Sequence, residues 1–170
     1  MRKFLLTLLF IAQIPQAFAQ ILWSGTLTGM SVDQVLKIHP DATEKIDKPG
    51  RLDNGAVEKL QVKRVEIEGL DFTVSFYFKD DKLTQVTTAS KDVPTDSAVY
   101  KYRALSVALK SKYGEEIAKK FDAGKLGTTA SSTWSSGRST INLSLFAFGA
   151  GPASIYIIYN STLASTADKL

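Results

Sequence analysis

Between positions 70 and 79, Leu70, Phe72, Val74, Phe76 and Phe78 alternate with Asp71, Thr73, Ser75, Tyr77 and Lys79. This period of two predicts a strand with one buried and one wet face. A weaker strand is expected at Val62 to Glu68, joined through Gly69, and Asp80-Asp81 supplies a turn into a third at Leu83 to Ala89. Connections this short imply an antiparallel meander.

Two segments carry helical signals instead. Ser31 as N-cap and Gln34 three residues later form a capping box at the start of Met30-Ser31-Val32-Asp33-Gln34-Val35-Leu36, with Met30 placed to staple onto Val35. Pro40 disfavours helical geometry at His39, so this helix is short. The stretch Asp41 to Ala56, with Pro49, Gly50 and Gly55, reads as a surface loop. Pro94-Thr95-Asp96 is expected to cap a second helix, on which Ala98, Tyr102, Leu105, Leu109 and Tyr113 fall on one stripe. Gly114 is its stop, with positive φ. A Lys- and Gly-containing loop is expected through Gly127, followed by strands at Thr129 to Ser135, Ser139 to Phe148 and Ala153 to Tyr159.

The pattern predicts an α+β fold of two tandem helix-plus-three-strand units, about 20–90 and 91–170. Two helices cannot sandwich about six strands, so they should cover one face of an antiparallel sheet and leave the other open.

Positions 1–19 stand apart. Met1-Arg2-Lys3 is basic, Phe4 to Ile14 is apolar apart from Thr7 and Gln13, and Ala17-Phe18-Ala19 has the small-x-small form of a cleavage site. We expect a signal peptide cleaved after Ala19, export to the periplasm, and a single domain over residues 20–170. The apolar run is too short to span a membrane, and no longer one follows.

Composition narrows the chemistry. The chain has 21 basic and 17 acidic residues, net +4; removing Arg2 and Lys3 leaves 19 against 17, or +2. That balance, without an aromatic-basic recognition motif, argues against nucleic acid. With no cysteine and one histidine in 170 residues, thiolate zinc sites, thiol nucleophiles and multi-histidine metal sites are excluded. No metal or cofactor is expected. His39 lacks any nucleophile elbow around it and reads as a cap-region residue. Glu66, Glu68, Asp71, Asp80 and Asp81 fit turn and wet-face roles better than an acid–base pair. Lys110, Lys112, Lys119, Lys120 and Lys125 sit where cations complement a helix C-terminus. No catalytic residue is assigned. Trp23 and Trp134 are expected as core anchors.

The aromatic residues mark the candidate site. If Phe72, Phe76 and Phe78 face the helices, Tyr77 faces the open side, and Phe146, Phe148 and Tyr156 join it if Ile141, Leu143 and Leu145 are buried. Such a surface would bind a partner.

Trp23-Ser24-Gly25 through Gly29-Met30-Ser31-Val32-Asp33-Gln34-Val35 resembles the opening of small periplasmic domains of the SmpA/OmlA outer-membrane-assembly family. The helix-then-sheet order is similar to that of the β-lactamase-inhibitor-protein architecture. The resemblance implies a non-enzymatic domain that binds another cell-envelope protein, inhibitor-like or assembly-related. This chain lacks the family's lipidated cysteine, which puts membrane tethering in doubt. The alternative is a small-ligand or lipid carrier with a cavity between helix and sheet.

Overall fold

The computed structural model describes residues 20–44, 46–149 and 151–161. The expected signal peptide lies outside the described residues. The elements run α1 (Val32–Ile38), β1 (Val57–Ile67), β2 (Leu70–Lys79), β3 (Lys82–Val93), α2 (Thr95–Tyr113), β4 (Ala118–Gly124), β5 (Gly127–Ser136), β6 (Ser139–Phe148) and β7 (Ala153–Ser161). All seven strands form one antiparallel sheet in the order β1-β2-β3-β7-β6-β5-β4.

This arrangement overturns the expectation of two tandem helix-plus-three-strand units. The second half holds four strands, because β4 occupies residues assigned to a loop. Its sequence, Ala118-Lys119-Lys120-Phe121-Asp122-Ala123-Gly124, is exposed at every position. A strand with no buried face has no reason to alternate apolar and polar residues, so the period-two signal is absent. Nor are the halves separate units: β3 pairs with β7, from Gln85 opposite Asn160 to Val93 opposite Ala153. Helix α2 carries the chain from β3 to the far edge, and a four-strand meander returns it to the centre.

Turn chemistry explains the tight connections. Glu68 and Gly69 between β1 and β2, and Asp80 and Asp81 between β2 and β3, all have positive φ. Two consecutive left-handed residues match the right-handed twist of the flanking strands. At α1, Gln34 N–H donates to Ser31 Oγ (3.3 Å) and Ser31 N–H donates to Gln34 Oε1 (2.9 Å), so both halves of the capping box form. Helix α2 starts within the expected capping segment, with Pro94 as N-cap and no side-chain capping bond. Thr95 Oγ1 instead donates to Gly151 O (2.6 Å), tying α2 to the β6–β7 turn.

Both helices lie on one face. Ala98, Tyr102, Leu105 and Leu109 of α2 are buried with Ile141, Leu143, Leu145, Ile155 and Ile157 of the sheet. Tyr102 Oη and Ser132 Oγ are 2.8 Å apart in the buried interface. Fully buried Trp134 donates Nε1–H to Gly114 O (3.1 Å), fixing the end of α2. Val35 of α1 is buried in the same core, and Trp23, His39 and Phe76 cluster beside it at centroid distances of 5.0–5.9 Å. Reciprocal bonds of 2.8 Å, Gly29 N–H to Leu83 O and Leu83 N–H to Met30 O, attach the segment before α1 to β3.

Candidate functional site

Strand alternation sends Tyr77 to the face opposite Phe76 and Phe78. Cross-strand partners share a face, so the register identifies its neighbours. Tyr77 lies beside Gln85 of β3, which in turn lies beside Asn160 of β7. Tyr156 lies between Ala89 of β3 and Ser144 of β6. The floor of this face is mostly hydroxyl and amide side chains, including Thr73, Ser75, Thr87, Asn142 and Ser144, all half-buried.

The four aromatic residues occupy this face unequally. Phe146 packs edge-to-face on Tyr156, with centroids 6.0 Å apart and planes at 69°, an arrangement favoured by the opposed charge of ring face and edge. Tyr77 and Tyr156 line one groove of about 860 Å³. Phe148 is displaced from them. It pairs with Gly127 at the strand end, and its ring edge lies 2.7 Å from where a Cβ on Gly127 would stand. Phe146 is 43% and Phe148 57% exposed, while Tyr77 and Tyr156 are half-buried.

Residues that the sequence did not single out build one wall of the groove. Glu58 is 7% exposed, yet its Oε2 accepts the Gly50 N–H (2.8 Å) and its Oε1 accepts from Gln61 Nε2 (3.1 Å). Gly50 approaches Tyr77 so closely that a Cβ there would meet the phenol oxygen at 2.7 Å. The segment read as a plain surface loop thus folds against β1 and reaches Tyr77. Burial pushes the Tyr77 phenol above its ordinary value of 10.0, the negative Glu58 adds to this, and a hydrogen bond with Ser75 opposes it.

Glu58 was hidden by an irregularity. It has the same parity as Leu60 and Val62, which face the helices, but a register shift between Glu58 and Leu60 turns it to the open side, opposite Tyr77. A second shift between Val62 and Val65 includes Arg64 at φ 59°. Bulges reverse the facing rule of a regular strand, and no local residue type announces these two.

Cations surround the groove. Lys48, Lys63, Arg64 and Lys91 on its rim are exposed, against exposed Asp71 and Asp92.

The remaining candidates have ordinary structural roles. His39 is the C-cap of α1, stacked on Trp23 at 5.0 Å. Glu66 and Asp71 sit directly opposite each other beside the β1–β2 turn, both exposed. Asp81 pairs with Lys59, which lowers its carboxyl below the usual range. Lys110 bonds to Glu115 (2.7 Å), while Lys119 and Lys120 belong to β4 rather than to a loop. Among the described residues, no group of three or more His, Asp or Glu could hold a metal ion, and no helix is long and apolar enough to cross a membrane.

Comparison with protein-family models, with curated proteins and with solved structures returned no match.

Proposed function

We propose that this chain is an exported, non-enzymatic binding domain that presents the open face of its sheet to another protein of the cell envelope. The observation that carries this reading is the groove between Tyr77 and Tyr156, extended by Phe146 across β7 and β6. Aromatic side chains on a rigid sheet offer large contact area at small entropic cost, and they concentrate binding energy in most protein interfaces.

The rim specifies the complement. Four exposed cations against two exposed carboxylates favour a segment that brings acidic side chains together with an apolar or aromatic anchor. The carboxylate best placed for chemistry, Glu58, is already held by Gly50 and Gln61. The helix–sheet interface, where a carrier would hold its ligand, contains buried Tyr102, Leu105, Leu109, Ile141 and Leu143. The resemblance of the α1 region to outer-membrane-assembly domains agrees with an envelope partner.

The test is comparative capture from an envelope extract. A protein retained by the wild-type chain should be lost with Tyr156→Ala and Phe146→Ala, yet kept with Tyr100→Ala on the outer side of α2. Equal retention by all three variants would refute the assignment of this face.

A further inference from the structure

The two edges of the sheet are finished differently. Along the outer side of β1, Thr43 bridges Gln61 and Arg51 bridges Val57, with Gln61 N–H donating to Thr43 O (3.0 Å) and Glu58 N–H to Gly50 O (2.9 Å). Two register shifts make that edge irregular as well. At the other edge, β4 keeps unbroken register with β5 from Ala118 opposite Thr133 to Gly124 opposite Gly127. It contains no proline, every residue is exposed, and among the described residues no strand pairs with its outer side. A regular, uncovered edge is a template for another strand.

The sequence of β4 specifies which strand. Reversed about Phe121, the segment is charge-complementary to itself: Lys120 falls opposite Asp122 of a second copy, and by symmetry Asp122 falls opposite the second copy's Lys120. Phe121 meets its own counterpart on the helix-bearing face, where it lies beside Ala130 and is 50% exposed. Lys120 and Asp122 lie on the open face beside Ser131 and Thr129. Neither has an ion-pair partner in its own chain among the described residues. Slipping the register by two residues sets Lys120 against Lys120 or Asp122 against Asp122, so charge selects the symmetric register.

We propose that β4 pairs antiparallel with β4 of a second copy about a two-fold axis at Phe121. The axis is normal to the sheet, so the two sheets join edge to edge with both open faces on the same side. This dimer does not depend on what the open face binds. A seven-residue edge is smaller than a standard interface, so the association is weak and concentration-dependent.

Sedimentation velocity of the purified protein from about 1 μM to about 1 mM tests it, a range suited to weak association. The wild type should pass from monomer to dimer as concentration rises. Lys120→Asp and Asp122→Lys each convert two attractive cross-strand pairs into repulsive ones and should weaken dimerisation about tenfold or more. An equimolar mixture of the two variants should re-form the dimer, because each chain then faces its opposite. Both side chains are exposed, so circular dichroism and melting of each variant should match wild type. A monomer at every concentration, expected if the edge serves an unrelated extended peptide, overturns the proposal. So does a dimer indifferent to both reversals, or a mixture that stays monomeric.

Discussion

Replacing Tyr102 by Phe removes one oxygen from the interface between α2 and the sheet. Tyr102 is 3% exposed and Ser132 fully buried, their oxygens 2.8 Å apart. The substitution leaves the ring packing in place but strands the Ser132 hydroxyl where water does not reach it. An unpaired buried hydroxyl costs about 1–3 kcal/mol, more than the net value of a typical hydrogen bond. For a domain of this size each kcal/mol lowers the midpoint by roughly 2–4 °C. Ser132→Ala should cost a similar amount by stranding the phenol. The double variant Tyr102→Phe/Ser132→Ala should be less destabilised than the sum of the singles, because neither partner is left to be desolvated. Urea unfolding followed by tryptophan fluorescence, with m compared across all four chains, measures this directly. Strictly additive single effects would refute the idea that this contact is a coupled buried pair.

Gly114 has φ 86° and ψ −155° with nothing within 4 Å of its Cβ direction, so Gly114→Val should destabilise through backbone strain alone, by about 1–3 kcal/mol; an unchanged melting temperature would sink this. Glu58→Ala removes a buried acceptor from the Gly50 N–H and should cost about 1.5–3 kcal/mol, with faster hydrogen exchange at Gly50; unaltered exchange there would contradict the role of Glu58 in holding the Gly50 segment against β1. Burial raises the phenols of Tyr77, Tyr102 and Tyr159 above the ordinary 10.0. The folded state therefore holds protons that the unfolded chain releases above about pH 10, so the contribution of these phenols to stability should be constant below that pH and fall above it. Tyr102→Phe should make the alkaline decline shallower in pH-dependent urea titrations, and an identical slope would contradict the burial of that phenol.

The parts of the fold legible in the sequence are those where burial imposes a period. β2 alternates over its whole length because one face meets the core and the other does not. The buried stripe of α2 shows equally well, as does the capping box of α1. β4 was illegible for the opposite reason: at an exposed edge no position is selected for burial, and its lysines look like those of a loop. The pairing of β3 with β7 joins residues about 70 positions apart, and local pattern carries no record of it.

The candidate site was half legible by the same logic. Tyr77, Tyr156 and Phe146 follow from alternation once the buried faces of β2, β6 and β7 are known. Phe148 obeys the same parity but lies at the end of β6 over Gly127, where alternation says nothing about neighbours. Glu58 and Gly50 could not be found this way, because a bulge inverts parity at one and a tertiary fold-back positions the other.

Hydroxyl-radical footprinting of the protein with and without a partner captured from an envelope extract tests the proposed binding role of the open face most directly. Tyr156, Phe146 and Tyr77 report on the open face, while Tyr100 at 72% exposure and Val107 at 69% report on the outer side of α2. Protection of Tyr156 and Phe146 with Tyr100 and Val107 unchanged is the expected result. Protection confined to Tyr100 and Val107, with the open face labelled as in the free protein, would contradict the assignment of the sheet face as the binding surface.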